Sequence, residues 1–135
     1  MNYKGGSNIQ RKINCLYIEP NQLPKKIEVK NNLYSKQNLV GGNIEYCRIL
    51  DDDNVVLICN EEGKINGMEP NRDIGHDIIF GPFLIVGDDY ENGSFKSLTE
   101  KQILENKIRF DENSIFRTRK KVIDILLNKN RDYER

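Results

Sequence analysis

The run DIIFGPFLIVG, residues 77–87, is the most restrictive feature of this 135-residue chain. Its side chains are almost all apolar and rich in β-branched and aromatic types, so it belongs in a core as a strand. Gly81-Pro82 interrupts it. Proline donates no N–H to a ladder, so a bulge or an edge irregularity is expected there. A chain of this length supports a single core, and one domain is the working expectation.

The remaining strand-like runs are shorter. INCLYI and KIEVK, the second alternating Ile27 and Val29 against Lys26, Glu28 and Lys30, form a hairpin through the turn residues Glu19-Pro20-Asn21 and Pro24. NIEYCRIL alternates in the same way. It is followed by Asp51-Asp52-Asp53-Asn54, a solvated turn into VVLIC, because calcium loops space their carboxylates around a glycine and this run does not. After the turn residues Asp88, Asp89 and Asn92-Gly93 comes a short strand around Phe95.

Three segments read as helical. NNLYSKQNLVGG offers Asn31 or Asn32 as N-cap, Leu33, Gln37 and Val40 on one face, and Gly41 as a left-handed terminator. SLTEKQILENKIRF carries a capping box, Thr99 with Gln102, and a hydrophobic staple, Leu98 with Ile103. SIFRTRKKVIDILLNK is expected to bury Ile115, Val122, Ile123, Leu126 and Leu127 and to show Arg117, Lys120 and Lys121 outward. An exposed stripe of that size would imply a second copy or a partner. The expected fold is α+β: a mostly antiparallel sheet of about five strands, a short internal helix and a helical C-terminus. Residues 1–12 read as a flexible leader, 13–110 as the core domain and 111–135 as a basic amphipathic helix.

Between VVLICN and the long apolar run lies NEEGKINGMEPNR, residues 60–72. Glu61-Glu62-Gly63 reads as a type I turn with Gly63 left-handed, closing a hairpin between VVLICN and KING. GMEPNRDIGH then reads as an irregular loop, and long loops in small domains are often functional. Its candidate ligand-binding residues are Asn66, Asn71, Arg72 and His76: amides that donate and accept, a planar guanidinium fork for phosphate or carboxylate, and an imidazole. The plainer alternative makes the asparagines turn formers, pairs Arg72 with Asp73 or Glu69, and has His76 cap a loop.

Several chemistries are disfavoured. A phosphate loop needs a glycine five positions before Gly63, where Ile58 stands, and Ser or Thr after Lys64, where Ile65 stands. Cys15, Cys47 and Cys59 lie in apolar runs and, even with the lone His76, lack paired zinc spacing, so no metal or other cofactor is expected. There is no nucleophile elbow, and the paired carboxylates Glu61-Glu62 and Asp88-Asp89 sit in turns, so catalytic residues are not assigned. No membrane helix or secretory signal is read, and a cytoplasmic location is expected. Net charge is zero but uneven. From Arg117 onward seven Lys or Arg face Asp124, Asp132 and Glu134, a surplus of four, which leaves a deficit of four in the first 116 residues. Arg117, Arg119, Lys120 and Lys121 are therefore a candidate partner-binding group, with nucleic acid as one alternative.

The succession LVGGNIEYCRIL, VVLICNEEGKINGMEPNR, DIIFGPFLIVGDD and SLTEKQI resembles the domain of unknown function 3846, a family of small bacterial and phage proteins often associated with mobile elements, over about residues 13–110. The resemblance implies context more than chemistry: an accessory protein in the host cell cytoplasm, with no catalytic residues to carry over. The expected function is non-enzymatic binding that antagonises host defence, by sequestering a nucleotide immune signal or by engaging a host defence protein. The alternatives are a nucleic-acid-associated accessory protein using the basic C-terminal helix, or a small hydrolase of unrecognised type.

Overall fold

The computed structural model describes residues 11–48, 52 and 54–133; residues 1–10 of the expected leader and most of the expected acidic turn after Arg48 lie outside the described residues. The strands are β1 (Lys12–Ile18), β2 (Lys25–Lys30), β3 (Ile44–Arg48), β4 (Val55–Asn60), β5 (Pro70–Asp73), β6 (Ile78–Phe80), β7 (Phe83–Asp89) and β8 (Ser94–Lys96). The helices are α1 (Leu33–Val40), α2 (Glu100–Arg109) and α3 (Glu112–Tyr133), with one 3-10 turn at Tyr90–Asn92. The fold is α+β, as the sequence indicates.

The main sheet is antiparallel throughout and has six strands, one more than expected, in the order β2-β1-β7-β4-β3, with β8 paired to the far end of β7. Both faces of its centre are covered, and the two-residue period of a strand divides the apolar side chains between them. Leu16, Ile18, Val55, Leu57, Cys59, Phe83 and Ile85 meet Leu98, Ile103 and Phe110 on one side. Ile13, Cys15, Val29, Val56, Ile58, Leu84 and Val86 meet Val40 of α1 on the other. This double coverage is why VVLICN and FLIVG are continuous apolar runs instead of alternating ones.

The local signals at helix ends hold. Asn32 caps α1, accepting from the Ser35 N–H at 2.7 Å, and Gly41 ends it with φ of 83°. Thr99 and Gln102 form the capping box of α2, and Leu98 and Ile103 are buried in one cluster. The inner face of α1 differs from expectation: Leu33 is exposed and Lys36 is buried beside Val40. Lys36 Nζ donates to Asn31 Oδ1 at 2.8 Å and lies 5.1 Å from the centre of the Phe95 ring. Its long stem packs while its ammonium is satisfied. Burial lowers the Lys36 pKa.

Gly81-Pro82 does more than introduce a bulge. It divides the long apolar run between two sheets, because β6 pairs with β5 in a separate two-stranded hairpin and β7 enters the main sheet. The segment GMEPNRDIGH is correspondingly not a loop throughout, since Pro70–Asp73 is β5. KING is not a strand. Residues 61–67 are consecutive turns, in which the Met68 N–H donates to Gly63 O at 2.9 Å and the Gly67 N–H to Lys64 O at 3.2 Å, with Gly67 at φ of 74°. That is the Schellman pattern, so Gly67 and not Gly63 holds the left-handed position. Gly63 is required for a different reason: a Cβ there would collide with the carbonyl oxygen of Phe80.

The largest departure concerns α3. Ile115 and Val122 are only half-buried, and Ile123, Leu126 and Leu127 are 55%, 54% and 49% exposed. The helix instead meets the hairpin through small polar residues. Ser114 and Thr118 are buried; Thr118 Oγ1 accepts from the Asp73 N–H at 2.8 Å and donates to Ser114 O at 2.9 Å. A hydroxyl that satisfies a strand N–H brings helix and hairpin closer than a leucine would allow.

Candidate functional site

The residues expected to form a ligand surface do not converge. Asn66 is exposed within the run of turns, where its N–H donates to Glu62 O at 2.8 Å. Asn71 and Arg72 are 2% and 0% exposed, which removes them from any surface. Asn71 Nδ2 donates to Ile18 O and Gly81 O, both at 2.9 Å, tying β1 to the junction between β6 and β7. Arg72 Nη1 donates to Asn71 Oδ1 at 2.8 Å, and Nη2 donates to Gln22 O at 2.6 Å and Phe110 O at 3.1 Å. The guanidinium thus joins the β1–β2 connection, the hairpin and the end of α2. Burial lowers its pKa to about 10 while Asp111 opposes the shift, and it remains charged at neutral pH. Neither the expected ligand role nor the alternative pairing with Asp73 or Glu69 describes it; it is an internal clamp on backbone carbonyls.

His76 is exposed and does line a cleft. This cavity of about 270 Å³ opens where the edge strand β3, the β5–β6 turn, the end of α2 and the first half of α3 approach one another. Its apolar lining comes from Cys47, Leu57, Ile74 and Phe110, and its polar lining from Arg48, Asp73, His76, Arg109 and Arg117. The volume is near the lower end of the ~300–1,000 Å³ of small-molecule sites.

Each polar group is positioned by identifiable local chemistry. The Gly75 N–H donates to Asp73 Oδ1 at 2.9 Å, an Asx turn that bends the chain with Gly75 at φ of 103° and carries His76 to the rim. Lys121 Nζ donates to the same Asp73 Oδ1 at 3.0 Å. Burial pushes the Asp73 carboxyl up, but the Gly75 N–H, Lys121 and Arg117 outweigh it and hold its pKa below the ordinary value. Asp73 therefore stays ionised and locally compensated. Arg48, on the edge strand, pairs with Asp88 at 2.7 Å and lies 4.7 Å from the centre of the Tyr90 ring. Arg109 ends α2, and Arg117 reaches the cleft from α3.

The candidate partner-binding group on α3 divides. Arg117 and Lys121, one turn apart, both reach the Asp73 region. Arg119 donates from Nε to Asn21 Oδ1 at 3.0 Å, and Lys120 is exposed. The four do not make one basic face. Arg48 and Arg109 were missed in the sequence, where nothing local distinguishes them; only strand order and the α2–α3 bend bring positions 48, 109 and 117 together. Burial pushes the Cys15 and Cys59 thiols up to about 12, and it raises the pKa of the half-buried Cys47 as well. Among the described residues there is no group of three or more His, Cys, Asp or Glu placed to hold a metal ion, and no helix is long and apolar enough to cross a membrane.

Fold and cleft together define a small antiparallel α+β domain with an arginine-lined pocket at one edge of its sheet. Residues 13–111 match the family model Domain of unknown function (DUF3846), and the chain belongs to that family. The boundary at 111 falls at the junction of α2 and α3, so the match covers all of the sheet but Lys12 and excludes α3. No curated protein and no solved structure matches the chain.

Proposed function

We propose that this protein is a non-enzymatic binding protein for an anionic small molecule of the nucleotide class, held in the cleft between β3, the β5–β6 turn and the α2–α3 junction. The observation that carries this reading is that Arg109, Arg117 and His76 line one cleft around an apolar floor, with Arg48 at its β3 edge, where the guanidinium is already paired with Asp88. Guanidinium forks suit phosphate and carboxylate oxygens, while Phe110, Ile74 and Leu57 suit the flat or apolar part of the same ligand. The one carboxylate that lines the cleft, Asp73, has Lys121 and the Gly75 N–H as its hydrogen-bond partners and offsets only part of the charge of Arg117. In the setting of a phage or mobile element, retention of a nucleotide immune signal is the use that fits such a site, and it needs no catalytic group.

Calorimetric titration with mono-, di- and cyclic nucleotides tests this. Saturable binding is expected, and Arg117→Ala should weaken it by about 1.5–3 kcal/mol, the scale of a hydrogen bond to a charged group. Arg117→Lys should restore only part, because it keeps the charge and loses the fork. Absence of saturable binding for every phosphate-bearing compound, or equal affinity in Arg117→Ala, overturns the assignment.

A further inference from the structure

The far half of α3 and strand β6 enclose a second groove of about 500 Å³, which adjoins the arginine cleft at His76. Ile78 and Phe80 form its floor from the hairpin, and Val122, Ile125 and Leu126 form its wall from the helix. Its rim is cationic: Lys64 and Lys129 stand at it with Lys121, whose ammonium is already paired with Asp73, and Asp77 is its one carboxylate. Lys64 Nζ lies 5.7 Å from the centre of the Phe80 ring, so one ammonium stands over the floor itself. On the neighbouring face of the same turns Ile123 and Leu127 are exposed as well.

We propose that this groove docks a helical segment of another protein whose apolar face is flanked by carboxylates. The groove follows α3 from Lys121 to Lys129, a little over two helical turns, which matches a partner helix presenting anchors at i, i+3 or i+4, and i+7. Charge decides the chemistry of the occupant. Glutamates or aspartates beside those anchors meet the lysine rim, whereas a second α3 would bring the same lysines against it. The groove shares only His76 with the lining of the arginine cleft, and its occupant does not depend on the small-molecule reading.

The test uses the full chain with labelled Ile, Leu and Val methyl groups and two synthetic amphipathic helices of about fifteen residues, identical in their leucines and flanked by glutamate or by lysine. The glutamate helix should move the Ile78, Val122, Ile125 and Leu126 resonances. The lysine helix should bind about tenfold more weakly or worse. Leu126→Asp, at an exposed position, should weaken the glutamate helix by about tenfold with an unchanged thermal melt. Lys64→Glu with Lys129→Glu should reverse the preference between the helices. Equal binding of both helices overturns the proposal, as does a concentration-dependent dimer in light scattering that Leu126→Asp abolishes, since that would give the face to a second copy.

Discussion

At its base α3 meets the domain through Ser114 and Thr118, whereas two turns further along Ile123, Leu126 and Leu127 face water. The hairpin beneath shows the same inversion, with Asn71 and Arg72 fully enclosed. Polar side chains are internal where most of their hydrogen bonds close against backbone: Asn71 with Ile18 O and Gly81 O, Arg72 with Gln22 O and Phe110 O though its Nε is left without a hydrogen-bond partner, Thr118 with the Asp73 N–H. Apolar side chains are exposed further along the helix, at Ile123, Leu126 and Leu127, where it flanks an open groove beside β6. A 22-residue helix is about 33 Å long, longer than the hairpin it rests on. The contrast teaches that the joint between hairpin and helix is made by hydrogen-bond geometry, and that the apolar surplus of α3 is left for other contacts.

The strongest break in this contrast is Arg72→Ala. It removes a guanidinium that serves three segments and strands their carbonyl groups in the interior, so urea unfolding should show a loss of about 3 kcal/mol or more. Arg72→Lys should recover only a fraction, having one ammonium in place of a planar fork. A loss below about 1 kcal/mol would mean that the clamp does not hold the hairpin.

Gly63→Val ranks next. Its side chain would collide with the carbonyl oxygen of Phe80, and a shift of the turn against β6 should cost about 1–3 kcal/mol. The cause is close packing and not the left-handed backbone, so Gly63→Ala should be nearly as damaging as Gly63→Val. If alanine were tolerated and valine not, the contact would be looser than described.

Thr118→Val and Leu126→Asp form the sharpest pair. Valine keeps the shape of threonine and leaves the Asp73 N–H without its acceptor, for an expected loss of about 1 kcal/mol. The aspartate replaces an exposed leucine and should change stability by less than about 0.5 kcal/mol. Thermal melts that reversed this order would show that the far half of α3 is packed and its base is not.

The smallest effect is one of pH. The folded-state pKa of Asp73 lies below its unfolded value, so its contribution is complete above the unfolded pKa and is lost as pH falls through the folded one. The gap in stability between the parent and Asp73→Asn should therefore be constant near neutrality and close in acid. Because the group is partly exposed, that gap should stay under about 1 kcal/mol. A gap that widened in acid would place Asp73 in an environment that favours its neutral form.

The same contrast explains what was legible in the sequence. The ends of α1 and α2, the β1–β2 hairpin and strands β4 and β8 are encoded by neighbours: Asn32 before Ser35, Thr99 with Gln102, Gly41 at the stop. Strand β5 was hidden because PNRD has no apolar alternation, and it is strand only because β6 lies beside it. The burial of Arg72 depends on carbonyl groups from residues 22 and 110, and the cleft on residues 48, 73–76, 109 and 117, so neither has a local signature. The orientation of α3 was misread for the opposite reason: its apolar residues dominate the helical pattern, while the contact is chosen by Ser114 and Thr118.

The cleft is the central claim, and the most direct measurement is mass spectrometry of the small molecules released when the purified protein and its Arg117→Ala variant are denatured side by side. A phosphate-bearing compound should be released by the parent and be depleted by about tenfold or more in the variant, which shares its fold and loses one guanidinium from the rim. Identical sets from the two proteins, empty sets included, would contradict the assignment of the cleft as the binding site.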